Sequence, residues 1–251
     1  MPKEQANAWP YLQIAGDLRA AILSGERAPG SRIPGENELM ESYGVARETA
    51  RKALAVLRNE GLTETRKGAG TFVRAFRPIR RNATARLAAE QWGSGKSIWQ
   101  ADVDERPMRI VGARVDEVQP PLYIAQALGL ADDGTAVRRS RRYVVEDKPV
   151  MLAISYLPAD LVRDSAIAQV DTGSGGIYAR LKELGHAPAH FREELRARMP
   201  DPSEVKVLDL GAGTPVITVV RTALDAEGRV VEVNEMTLDA SKYLLEYNFT
   251  A

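Results

Sequence analysis

Apolar residues recur at helical spacing in three segments near the start of the chain. From Trp9 to Ser24 the residues Leu12, Ala15, Leu18 or Arg19 and Ile22 fall at helical intervals, and Gly25 stands where a C-cap is expected. A second helix is expected from near Gly35 to Gly44, whose missing Cβ suits a left-handed turn between two helices. A third starts at about Ala46. On it Ala50, Leu54 and Leu57 form an apolar stripe, while Arg47, Arg51, Lys52 and Arg58 lie on or beside the opposite face. ETRKGAGTFVR follows, and Gly68 to Gly70 allow the positive φ of a tight, basic hairpin. A turn, two helices and a hairpin in this order are the layout of a helical DNA-reading unit, expected over residues 9–75.

The pattern then changes. From about Ala75 to Ser97 the chain is basic, then rich in Gly and Ser, with no sustained apolar period, so residues 76–97 read as a linker. Strand-like runs dominate residues 98–251: Arg109 to Gln119, Ala136 to Glu146, Pro149 to Leu157, Pro215 to Ala223 and Val230 to Leu238. EDK and DAEGR supply hairpin turns between neighbours. Helices are expected at Leu122 to Leu128, Ile177 to Leu184, Phe191 to Ala197 and Ser203 to Leu208, and GAGTP near Gly211 as a helix-to-strand turn. Strands joined by short turns and interspersed with helices predict an α+β protein with a mostly antiparallel sheet in its second domain.

Composition narrows the chemistry. The 251 residues contain no cysteine, which removes disulfides, thiolate metal sites and cysteine nucleophiles. There is no signal-like leader and no apolar run of bilayer length, so a cytoplasmic protein is expected with no membrane partner. Net charge is zero, from 34 basic and 34 acidic residues, yet the distribution is uneven. Between Val45 and Arg81 stand Arg47, Arg51, Lys52, Arg58, Arg66, Lys67, Arg74, Arg77, Arg80 and Arg81, against only Glu48, Glu60 and Glu64. That local excess is a polyanion footprint.

YLQIAGDLRAAILSG, PGSRIPGENELMESYGVARETARKALAVLRNEGL and KGAGTFV together resemble the GntR family of bacterial transcription regulators over Tyr11 to Val73. KPVMLAISYLP, GGIYARL and VVEVNEMTLDASKYLLEYNF resemble its HutC-type branch, whose effector (UTRA) domain has a chorismate-lyase-like fold. The resemblance implies DNA contacts from Asn37, Arg47, Thr49, Arg51, Lys67 and Gly68. Arg47 at the start of a major-groove helix could hold guanine O6 and N7 with two parallel bonds. Gly35 stands where Ser or Ala is usual, and Ala46 and Glu48 flank Arg47 where hydroxyl residues are common; these departures imply an altered operator sequence.

In the second domain the resemblance aligns Arg141 with an arginine for the effector's anionic group, Tyr178 with a pocket tyrosine and Glu232 with a pocket acid. Tyr143 replaces a common second arginine, and Gly176 a common serine, so a phosphorylated sugar is not expected. Strand alternation puts Arg139, Arg141 and Tyr143 on one face and Arg138, Ser140 and Arg142 on the other, so Arg139 could supply the missing second cation. A solvated charged strand is the alternative. GSGGIYARL leads a Gly-rich turn into a helix N-terminus suited to an anion.

His186 and His190 are the only histidines; Pro188 between them argues against a helical metal pair, so neither metal nor other cofactor is expected. Trp92 and Trp99 read as packing residues near the linker. The chain therefore reads as a non-enzymatic, ligand-responsive regulator, most simply a repressor that binds a palindromic operator as a homodimer and answers to a small anionic effector. An enzyme on the lyase-like fold and a DNA binder without effector are the rival readings.

Overall fold

A computed structural model describes residues 9–66, 68–75, 78–88, 98–99, 102–103 and 106–248. The chain divides into two units: one spans Met1–Arg77 with Gly211–Thr214, the other Pro78–Leu210 with Pro215–Ala251.

The first unit is built from α1 (Pro10–Leu23), α2 (Glu36–Tyr43), α3 (Arg47–Asn59) and a hairpin of β1 (Thr63–Arg66) with β2 (Gly70–Val73). Its boundaries have local causes. Pro10 occupies the first turn of α1, where its missing N–H is harmless, and Gly25 beyond the C-cap takes φ +83°. Glu38 reaches back to the Gly35 N–H at 2.6 Å, closing one end of α2, and Gly44 caps the other in the left-handed region. The core joins Ile14, Ala15 and Leu18 of α1 to Leu39, to Ala50, Ala53 and Leu57 of α3, and to Val73. Ile14 and Ala53 thus take inward positions that the helical spacing assigned to Leu12 and Leu54. Leu12 is exposed and Leu54 only partly buried.

The second unit carries a six-stranded antiparallel sheet in the order β4-β5-β6-β9-β8-β7. Its strands are β4 (Met108–Val118), β5 (Ala136–Val145), β6 (Lys148–Pro158), β7 (His190–Arg198), β8 (Val216–Leu224) and β9 (Val230–Asp239). Glu146 and Asp147 both adopt positive φ in the two-residue turn between β5 and β6, the geometry that follows the twist of a tight hairpin. One sheet face packs on Val162, Ile167 and helix α7 (Gly176–Glu183) through Ile177, Tyr178 and Leu181. The other is covered by α5 (Leu122–Leu128) and α8 (Pro202–Leu208). Between these come the short α4 (Ala83–Leu87) and α6 (Ala159–Val162).

Two expectations are corrected. Phe191 to Ala197 is not a helix: it lies within β7, paired with β8 from His190↔Leu224 to Arg198↔Val216. FREELRAR has strong helix formers, but its alternation turns Phe191 and Glu193 inward, and nine ladder pairs override local propensity. Within the expected linker, 76–97, the described residues 78–88 are not simply a linker. Ile79–Asn82 forms β3, parallel to β10 (Tyr243–Glu246), and Asn82 caps α4 through the Ala85 N–H at 2.9 Å. The second unit accordingly starts at Pro78 rather than at residue 98. Arg81, counted above in the polyanion footprint, is fully buried and forms a bidentate pair with Glu193.

Candidate functional sites

On the first unit, α3 begins at Arg47, so the Arg47 side chain leaves from the first helical turn, exposed. Its Nη2 donates to Asn37 Oδ1 at 3.0 Å, and its Nε lies 3.8 Å from Glu36, so the start of α2 orients it. Arg51, one turn on, pairs with Glu48 and is also exposed. Thr49 is half-buried between them. Gly68 takes φ +76° at the hairpin tip; Lys67 lies outside the described residues. Arg66 is held by Glu64 at 2.9 Å and stacks on Phe72, 4.3 Å from the ring centre. Arg32 bridges to Phe72 at the edge of the hairpin, with its side chain exposed. It is a cation on this surface that helical spacing could not reveal, because it sits in an irregular strand. The structure therefore brings Asn37 and Arg47 into direct contact and leaves Arg47, Arg51, Lys52 and Arg66 open to solvent.

On the second unit, a cavity of about 500 Å³ lies between the sheet and the turn into α7. Arg139, Arg141, Tyr143, Gly176, Tyr178 and Glu232 all line it. Their roles differ. Arg139 is buried and its fork is engaged: Nη1 donates to the carbonyls of Ile167 and Gln169, and Nη2 to that of Val170 at 3.0 Å. Burial first, and then the neighbouring Arg141 charge, lower its pKa to about 10, which leaves it cationic at neutral pH. It fixes the loop ahead of the Gly-rich turn. Arg141 is only half-buried, and its Nη2 donates to Ser155 Oγ.

Tyr143 is buried with its ring centre 4.7 Å from that of Trp99. Trp99 forms part of the cavity wall, and the Arg86 guanidinium lies 4.4 Å over its face. Trp92 lies outside the described residues. Tyr178 donates to Glu232 Oε2 at 2.7 Å, and burial, above all, raises the Tyr178 pKa well beyond its ordinary range. At Gly176 a Cβ would meet nothing within 4 Å, but φ +66° disfavours any side chain, so backbone conformation dictates the glycine and the space above it is a by-product.

Strand periodicity alone did not single out Arg221 and Asn234, which also line this cavity and are fully buried. Arg221 Nη2 stands 3.8 Å from Glu232, and the guanidinium lies 5.5 Å from the Tyr178 ring centre and 5.6 Å from that of Trp99. Behind them, Arg86 pairs with Asp102 at 2.6 Å. Burial lowers the Arg86 pKa to about 10, while burial raises that of Asp102. A wider groove of about 650 Å³ lies beside the end of α5, but its charged residues Asp133, Asp160, Arg163 and Arg229 are exposed, and Asp160 pairs with Arg229. His186 Nδ1 contacts Asp225 Oδ2 at 2.8 Å, whereas His190 begins β7, exposed, so the two histidines do not converge. Among the described residues no helix is long and apolar enough to cross a membrane.

A winged helix-turn-helix unit joined to a ligand-sized cavity in an antiparallel α+β unit defines a regulator that reads DNA and senses a small molecule. Residues 10–73 match the model for bacterial regulatory proteins of the gntR family, and residues 113–243 match that for the UTRA domain. The chain belongs to the GntR family of transcriptional regulators with a UTRA domain; neither domain is an enzymatic one. It is 30% identical to an HTH-type transcriptional regulator of Mycobacterium tuberculosis over 88% of this chain and 78% of that protein. It is 26% identical to the HTH-type transcriptional repressor NagR of Bacillus subtilis over 93% and 91% of the two chains. The crystal structure of PhnF from Mycobacterium smegmatis shares the fold, with a TM-score of 0.57, 21% identity and coverage of 95% and 99%.

Proposed function

We propose that the protein is a repressor that binds a palindromic operator as a homodimer in the cytoplasm and that a small anionic effector in the second-unit cavity alters its operator affinity. The observation that carries the effector part is the cavity lining. Arg141 lies half-open in a wall that also holds the buried rings of Trp99, Tyr143 and Tyr178, where a carboxylate or phosphate gains most from a guanidinium. Arg47, Asn37, Thr49, Arg51, Gly68 and Lys67 form the DNA-reading set, with Arg47 reading a base and the hairpin meeting the phosphate backbone. Tyr143, Tyr178, Gly176 and Glu232 shape the effector site, and Arg139 serves it by holding the loop. The effector acts by favouring one arrangement of the two readers over another.

The name of NagR as a repressor supports the sign of regulation. Two-fold operators require two readers about one helical turn apart or a multiple of it, which supports the homodimer. Exposed Leu195 on the edge strand β7 offers apolar surface for it.

Footprinting on DNA flanking the protein's own gene tests this reading. Two related half-sites should be protected, with steep loss of affinity as salt rises. The low-molecular-mass extract of the producing cells should change that affinity for the wild type. Arg141→Ala should bind the operator as the wild type does but ignore the extract. Protection independent of sequence, or an unaltered response in Arg141→Ala, overturns it.

A further inference from the structure

Strand register reveals an arrangement that no single strand shows. Arg139 on β5 pairs with Ser155 on β6, Ser155 with Asn234 on β9, Asn234 with Arg221 on β8, and Arg221 with Glu193 on β7. Directly opposed residues share a sheet face, so these five polar side chains form one row across the sheet. The next row on the same face is Arg141, Ala153, Met236, Val219 and Leu195, apolar except at its first member.

Arg141 bends into the polar row, because its guanidinium donates to Ser155. Along the cavity wall the order is therefore the Arg141 guanidinium over Ser155, the Asn234 amide on the next strand, and the Arg221 guanidinium on the one after. With strands spaced about 4.8 Å apart, the two cationic heads are separated by roughly 5–10 Å. Between and around them buried hydrogen-bonding capacity is unused. Both amide atoms of Asn234, the Tyr143 hydroxyl, and Nε and Nη1 of Arg221 lack a hydrogen-bond partner among the described residues. Among the described residues the ion-pair partner of Arg221 is Glu232 at 3.8 Å, beyond hydrogen-bond length, and Glu232 already accepts from Tyr178. Leaving such groups buried and unmatched is unfavourable, which marks the positions where a ligand gains most.

We infer that the effector is a two-headed anion: one acidic group held by Arg141, a second by Arg221, with Asn234 bonding the polar atoms between them or on the second head. This rests on the cavity being the effector site and adds what that reading leaves open, the number and spacing of the ligand's charges. A ligand with one anionic group would satisfy Arg141 and leave Arg221 and Asn234 as they are. Trp99 and Tyr178, whose ring centres lie 5.6 and 5.5 Å from the Arg221 guanidinium, help hold it in place for the second head.

Calorimetric titration of the full chain with succinate, glutarate and adipate, each against the monocarboxylate of the same chain length, tests the inference at constant ionic strength. At least one diacid should bind tenfold or more tightly than its matched monoacid. Arg141→Gln, Arg221→Gln and Asn234→Leu should each reduce that preference to less than twofold. Arg221 is buried among charges, so should Arg221→Gln fail to fold, Asn234→Leu carries the test of the inner subsite. Equal binding of diacid and monoacid, or a diacid preference that survives in Asn234→Leu and Arg221→Gln, overturns the two-headed ligand while leaving the effector cavity intact. If none of the acids binds, the inference also falls. The effector reading then stands or falls separately on the response of Arg141→Ala to cell extract.

Discussion

Arg81 and Glu193 lie more than a hundred residues apart in the chain, yet the two Nη atoms of the arginine meet the two carboxylate oxygens in a nearly dry site. The pair ties β3, the first strand of the second unit, to β7 at the edge of the main sheet. Burial by itself would raise the Glu193 pKa; hydrogen bonds and charge from Arg81, then Arg221 and Arg86, outweigh it and hold the carboxyl below its ordinary value. Removing one member leaves the other charge buried and unpaired. Glu193→Gln should cost about 3–5 kcal/mol in urea unfolding at neutral pH.

Acid titration gives an independent reading of the same pair. A carboxyl with a lowered folded pKa contributes stability that is fully present above its unfolded value, near 4.5, and is lost as pH falls through the folded value. Wild-type stability should therefore fall on acidification below about pH 4.5, and Glu193→Gln should show a shallower fall. Asp102, raised by burial, acts with the opposite sign in both proteins; the Glu193 charge is the smallest of the causes of its shift, so the comparison chiefly reads Glu193.

Arg47→Ala should weaken operator binding by about 1–3 kcal/mol and relax one base preference. Asn37→Ala should give a smaller loss, because it removes the 3.0 Å bond that orients the Arg47 fork. Fluorescence anisotropy over a set of singly substituted operators would measure both. Equal losses on specific and random DNA for Arg47→Ala would reassign it to the phosphate backbone.

At Gly70 the backbone has φ +111°, and an added Cβ would lie 3.2 Å from Arg32 Nε. Gly70→Ala should destabilise the hairpin by about 1–3 kcal/mol, read as faster hydrogen exchange in β1 and β2. Operator affinity should fall with it.

Tyr178→Phe removes the hydroxyl that donates to the buried Glu232 carboxylate. About 1–3 kcal/mol of stability should be lost, measured by thermal or urea unfolding. Operator affinity in the absence of effector should stay near the wild-type value.

What the sequence made legible follows from the range of the forces involved. The first unit could be read because its signals are local: Gly44 between two helices, a stripe on α3, and glycines at a hairpin tip. The six inferred cavity residues were reachable through resemblance and strand alternation, and all six line one cavity. Arg81 read as part of a basic linker because the partner that permits its burial, Glu193, is remote in the chain. Glu193 itself sat in a run whose propensity is helical. Arg221 and Asn234 stayed hidden because a polar residue in a strand shows its meaning only when four strands are aligned side by side.

That alignment bears on how the chain finds a single fold. Alternation of apolar and polar residues rejects any slip of β8 against β9 by one position, since a whole face would turn over. A slip by two keeps every apolar side chain on the correct face, and hydrophobicity barely opposes it. In such a slip Arg221 would leave Asn234 for Met236 or Glu232, and the Asn234 amide would face Ala223 or Val219, stranded among methyl groups. The polar row thus discriminates among registers that oil alone treats as equal, so Asn234→Leu and Ser155→Ala together should yield a sheet that is no less hydrophobic but less uniquely assembled.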